Sequence, residues 1–225
     1  MSKSKPPKPD RADAHVLEAE RCLARGNPAA AEMAATLALA MKPRHSRALL
    51  ALARVDRTRA QLERAQQNLE LALESSPEDR EIRRELATVL AARGRRAEAI
   101  AMLSDPPPED AEGWFALGCQ HDADGDAERA MIAARKALAL APEHAGALLL
   151  AARCHSAVGD IDAAANAYVD AALFALSEQR EDRLPALVQR ARVLADAPLL
   201  PEARRNAILQ RIDGAPRLAA LGRMN

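Results

Sequence analysis

A period of 34 residues, written in prolines and alanines, constrains this chain more than any other feature. Pro43 closes the segment ALALAMKP, and Pro77 closes LELALESSP 34 positions later. Pro142 closes KALALAP after a further 65 positions, two periods less three residues. Each proline follows an alanine-rich stretch with helical patterning, and another such stretch follows each proline. Self-similarity at this period is the signature of a helical solenoid, in which each unit buries its apolar face only against its neighbours. Such arrays mostly present binding surfaces, so recognition is expected rather than chemistry.

The period sets a register. Counting back from each proline places repeats at residues 12–45, 46–79, 80–110, 111–144 and 145–178, the third being short by three. Each reads as two helices joined by a tight turn. Gly26-Asn27, Gly94-Arg95, Gly125-Asp126 and Gly159-Asp160 mark four of these turns. A glycine after a helix can take the left-handed conformation that ends it, and a following Asn or Asp can accept the free amide hydrogens of the next helix. The second repeat has Arg59-Ala60-Gln61 at that place, and a turn is expected there without the glycine.

Alanine recurs at one site in the second helices, at Ala31, Ala65, Ala99, Ala130 and Ala164. A small side chain there lets the two helices of a repeat cross closely. Leu69, Leu103 and Tyr168 follow four positions on, and Ala38, Ala72, Ala137 and Ala171 three further. That spacing puts them on one helical face.

Composition supports an all-α fold. Apolar residues make up 49% of the chain but aromatic ones only 2%, so alanine and leucine supply the buried surface. β-Branched and aromatic residues are too scarce for a strand-rich fold. The 32 basic and 32 acidic groups balance, which lacks the basic footprint of a nucleic-acid binder. Cys22, Cys119 and Cys154 are odd in number and irregularly spaced, which suits a reducing compartment better than a disulfide framework. The first residues carry lysines and prolines with no apolar stretch after them, unlike a secretory leader. No run approaches the roughly 20 apolar residues of a membrane span. A soluble, cytoplasmic protein is expected, with no membrane or nucleic-acid partner and a disordered tail over residues 1–11.

The repeats resemble those of tetratricopeptide-repeat (TPR) proteins. The fourth carries the resemblance best, with Trp114, Leu117, Gly118, Gly125, Ala130, Ala137 and Pro142 at the family's signature places. The fifth follows with Leu148, Ala151, Ala152, Gly159, Ala164, Tyr168 and Ala171. The third departs, because Asp105-Pro106-Pro107-Pro108 cannot continue its second helix. A distorted repeat and a local change of curvature are expected there. The resemblance implies a right-handed α-solenoid of about five helix pairs. Beyond it, residues 179–225 read as C-terminal capping helices, at about 182–195 and 201–212, with a short last helix after Pro216. These amphipathic helices could instead pair two chains into a homodimer.

Chemistry finds little support. Residues 121–128, HDADGDAE, place acids at alternate positions, as a calcium loop begins. The twelfth position from Asp122 is Ala133 and the glycine is misplaced, so the string reads as a polar turn with Asp126 as a helix cap. Cys119 with His121, and Cys154 with His155, could suggest zinc or a thiol nucleophile. Residues one or two apart on a helix diverge too far for either. Both histidines are read as lying between paired helices. No metal or cofactor is expected, and no enzyme activity.

In TPR proteins the first helix of each repeat lines the concave face. The resemblance therefore places Arg47, Leu50, Arg54, Arg57, Arg84, Thr88, Phe115, Cys119, Leu149 and Arg153 in a ligand groove. The arginines could form a basic patch for an acidic peptide or a C-terminal carboxylate. Leu50, Phe115 and Leu149 could supply apolar pockets. The carboxylate-clamp places of chaperone-binding members hold Val16, Glu20, Ala51, Glu81 and Glu85, which argues against a chaperone tail. The implied function is a protein-interaction module or scaffold that binds a peptide segment of a partner in its concave groove. The alternative is the repeat portion of, or accessory subunit to, an enzyme such as a sulfotransferase, glycosyltransferase or hydroxylase.

Overall fold

A computed structural model of the chain describes residues 10–178, 184–198, 200–215 and 218. The expected tail lies outside these residues apart from Asp10 and Arg11. The short helix expected after Pro216 lies outside them too, Leu218 excepted.

Among the described residues there are twelve helices and no strand. The chain divides into two compact units between Leu103 and Ser104. The first holds α1 (Arg11–Ala24), α2 (Pro28–Met41), α3 (Ser46–Thr58), α4 (Leu62–Ser75), α5 (Arg80–Ala92) and α6 (Arg96–Ser104) to its penultimate residue. The second holds α7 (Ala111–Ala123), α8 (Ala127–Leu140), α9 (Ala145–Ala157), α10 (Ile161–Ser177), α11 (Leu184–Ala195) and α12 (Glu202–Asp213). Each unit is thus all-α among its described residues and is built of successive helix pairs. In the first unit α1 packs on α2, α2 on α3, α3 on α4 and α4 on α5, while α1 also meets α3. In the second, α7 to α11 pack in succession, α7 meets α9, and α12 lies on α10 and α11. Among the described residues no helix is long and apolar enough to cross a membrane.

The turn within each helix pair has one geometry five times over. The backbone N–H groups of Asn27, Gln61, Arg95, Asp126 and Asp160 donate to the carbonyls of Cys22, Asp56, Leu90, His121 and His155 at 2.8–2.9 Å. These bonds close the first helix, and the residue before each donor takes a positive φ. Four of those residues are glycines; the fifth is Ala60, at φ 59°. The expected turn without a glycine therefore forms with an alanine in the left-handed region. Asn27, Asp126 and Asp160 cap the next helix by accepting from the N–H groups of Ala30, Arg129 and Ala163. Asp126, drawn from the would-be calcium loop, is thus a cap.

The recurrent alanines Ala31, Ala65, Ala99, Ala130 and Ala164 are all fully buried. Leu69, Leu103 and Tyr168 are buried beside them, as are Ala38, Ala72, Ala137 and Ala171. Each large side chain so buried stabilises its unit by about 1.5–3 kcal/mol. In the second unit Gly118 brings α7 close enough that a Cβ on it would stand 2.6 Å from a Leu150 methyl. Lys136 of α8 lies 4.0 Å over the Trp114 ring of α7.

Two departures from the repeat pattern matter. First, α6 stops after nine residues, where α2, α4 and α8 have fourteen, and the Asp105–Pro108 stretch follows. Second, α10 runs to seventeen residues and supports α11 and α12. Their Leu187, Val188, Ala191, Ile208 and Ile212 join Tyr168, Val169 and Ala172 in one core. Pro201 stands at the N-cap of α12, one residue before the helix begins.

Candidate functional site

The candidate surface is the side of each unit built from the first helices of the repeats. In the first unit Arg47, Arg54 and Arg57 lie on one face of α3, being seven and three residues apart. Opposite them α5 presents Glu81 and Glu85, four residues apart on one face. Arg47 is hydrogen-bonded to Glu81 and stands 3.9 Å from Glu20 of α1. Arg54 bridges both acids of α5, donating to Glu81 at 2.6 Å and to Glu85 at 2.8 Å. Arg57 is 3.5 Å from Glu85. Burial works to raise the Glu81 carboxyl, but the hydrogen bonds from Arg47 and Arg54 outweigh it and hold it below the usual carboxylate range.

These arginines therefore do not form an unopposed basic patch. Three guanidiniums face three carboxylates, and the surface is polar and mixed in sign. Arg84 is half-buried and engaged within the fold. Thr88 is exposed, its hydroxyl donating to the Arg84 carbonyl at 2.9 Å. Leu50 is buried in the core and offers no pocket wall.

In the second unit the first helices are α7 and α9. Phe115 on α7 lies directly over Gly146, where a Cβ would come within 2.6–2.9 Å of its ring, and 5.0 Å from the His144 ring. It closes the junction between α7 and α9 rather than opening a pocket. Arg153 is paired with Asp122 across the same two helices. Cys119 packs on the core that holds Cys154, and burial pushes its thiol up to about 11. Burial likewise raises the Cys154 thiol and lowers His121 below the ordinary imidazole value. Neither thiol is set up as a nucleophile at neutral pH. Among the described residues no three His, Cys, Asp or Glu side chains gather as a metal site.

Two of the cavities among the described residues lie in the second unit. One, of about 310 Å³, is lined by Leu149, Arg153, Tyr168, Ala186, Leu187 and Arg190. The other, of about 400 Å³, includes Leu148, Asp170 and Phe174. The Asp170 carboxylate is already held by Arg211.

Several structural residues carried no sequence signal strong enough to single them out. Asp56 is buried and accepts from Asn68 at 2.8 Å, and Gln66 is buried among Arg93, Arg95 and Glu70. His45 and His144, two residues after their prolines, reach back to Asp13 and Glu112 at 2.9 and 3.0 Å. The recurrence of histidine after Pro43 and Pro142 was the available clue. Arg190 was not among the expected groove residues because it lies beyond the periodic region.

Two family models match the sequence, both described as tetratricopeptide repeat, over residues 56–116 and 111–144. No curated protein is significantly similar in sequence. Solved structures are similar in fold. TTC0263, a thermophilic TPR protein in Thermus thermophilus, is 20% identical, covering 81% of this chain and 98% of its own, with a TM-score of 0.67. PilW, a type IV pilus biogenesis factor, is 18% identical, covering 90% and 100%, with a TM-score of 0.66. MamA from Desulfovibrio magneticus RS-1 is 21% identical, covering 77% and 98%, with a TM-score of 0.59. At these identities the likeness concerns the fold.

Proposed function

The chain is a tetratricopeptide-repeat protein and a protein-interaction scaffold, and from that premise we propose that it holds a peptide segment of a partner against the first-helix side of its repeats, in a concave groove. The observation that supports this reading most is the side-chain register between successive first helices. Glu20, Arg47, Arg54, Arg57, Glu81 and Glu85 join into one bonded polar surface on α1, α3 and α5. Their side chains are already ordered, so a bound segment would lose less freedom in fixing them. Because each guanidinium there has an acid beside it, the segment this surface suits is polar and of mixed charge rather than strongly acidic. A TPR array recognises through its surface and needs no catalytic constellation to do so.

The reading is tested by quantitative affinity capture with the full chain. Arg57→Ala and the blocking change Thr88→Arg fall on the first-helix side, and Met33→Glu falls on the exposed side of α2. The expected result is loss of the captured partner with either of the first two, unchanged helicity, and normal capture by Met33→Glu. Capture that survives both changes and fails with Met33→Glu places recognition on the outer side and sinks the groove reading.

A further inference from the structure

We infer that the cavity between α9, α10 and α11 is a docking pocket for an extended partner segment that carries an aliphatic residue two positions from an aspartate or glutamate. This rests on the reading of the chain as a peptide-holding scaffold and adds to it a place and a ligand chemistry. The cavity has an apolar floor and a cationic mouth. Leu149 and Arg153 stand four residues apart on α9, and Ala186 and Arg190 four apart on α11. Each helix thus offers an apolar side chain and, one turn on, a guanidinium. Leu187 and Tyr168 complete the floor and belong to the core shared by α10, α11 and α12, so the floor is held rigidly from behind.

The two guanidiniums differ. Arg153 is engaged with Asp122. Arg190 is exposed, lies 5.9 Å from the centre of the Tyr168 ring, and makes no ion pair with any described residue. Arg47, Arg54 and Arg57 of the first unit are all matched by acids, whereas Arg190 lies beside the Tyr168 ring with no carboxylate paired to it among the described residues. The available charge at this mouth is positive, and a guanidinium fork matches a carboxylate. The volume of about 310 Å³ is at the lower end for ligand sites, suited to one or two side chains. Arg190 stands 5.9 Å from the centre of the Tyr168 ring in the floor, close to the roughly 6–7 Å between alternate side chains on one side of an extended strand.

The probe is the capped peptide N-acetyl-Leu-Ala-Asp-Ala-Leu-amide, which presents the spacing in both directions. It is titrated into the full chain while the methyl resonances of Leu149 and Leu187 are followed. Saturable shifts at both leucines are expected, with a Kd in the millimolar range. Replacing the aspartate by asparagine should weaken binding about tenfold, as should Arg190→Gln, with Arg190→Lys in between. Arg190 is exposed, so circular dichroism should not change. Absent shifts, or equal affinity for the aspartate and asparagine peptides, overturn the inference. So does tighter binding of an asparagine peptide with a free C-terminus, which would assign the carboxylate to a chain end. If the pocket fails while Arg57→Ala and Thr88→Arg still abolish partner capture, this inference alone falls. If the peptide binds as expected while those two variants capture normally, the pocket stands and the first-helix reading of the other unit falls.

Discussion

Ala60 holds a φ of 59° at the place where the other four turns have glycine. A Cβ in the left-handed region costs about 1–2 kcal/mol, and glycine in its place adds about 0.4–1 kcal/mol of unfolded-state entropy. The first effect is the larger, so Ala60→Gly should stabilise the chain by about 0.5–1 kcal/mol, read from urea unfolding midpoints. An unchanged or lower midpoint would mean the turn carries no such strain. Gly118 is the opposite case. A methyl group there would press on Leu150, which is fully buried and cannot retreat, and on the Ala133 Cβ at 3.2 Å. Gly118→Ala should cost about 1–3 kcal/mol despite the better helix propensity of alanine. Both residues were legible in part. The turn at residues 59–61 and the signature Gly118 follow from the register, but the backbone conformation and the distance of approach come only from packed helices.

Between elements, the decisive contacts join first helices about one repeat apart in sequence. Arg47 and Glu81 are separated by one full period of 34 residues. Sequence reading put both on the same side of the array, yet it treated the arginines as a patch because rotamers and cross-helix pairing are not periodic quantities. Glu81 has a folded-state pKa below its ordinary 4.5, so its contribution is present above that value and disappears as pH falls through the lowered one. Exchanging the acid for an amide, Glu81→Gln, should cost about 1 kcal/mol at pH 7, since two partly exposed pairs are lost, and should flatten the acid limb of stability against pH. His121 has the same sign for a different reason. Burial lowers its pKa below 6.5, so the unfolded chain binds more protons near neutrality, and its contribution weakens as pH falls through 6.5. Melting at pH 5.5 and 7.5 should differ less in His121→Phe than in the parent chain; an equal difference would rule out that assignment.

Across the molecule, several of the balancing charges are paired between neighbouring repeats, among them Arg59 with Glu32, Arg93 with Glu63 and Arg153 with Asp122. The sequence shows the balance of 32 against 32 and a pI near 7.0, but not the pairing. The fold itself was the most legible level, because a repeat of this length carries its helix pairs, turns and small-residue crossings in every copy. Helices α11 and α12 were legible as amphipathic segments, whereas their shared core with α10 is a tertiary fact that no period announces. Near pH 7 the chain has little net repulsion to keep copies apart. Met33, Leu37 and Met41 meanwhile form an exposed apolar stripe on α2, 70%, 49% and 48% accessible and spaced by four. The combination predicts lowest solubility close to pH 7 at low salt. Met33→Glu with Leu37→Glu removes part of the stripe and adds two negative charges, so solubility at pH 7 should rise and helicity stay constant. Sedimentation at several concentrations separates the causes. If the double variant self-associates as the parent does, the attraction lies elsewhere on the surface; if association disappears, the α2 stripe carries it.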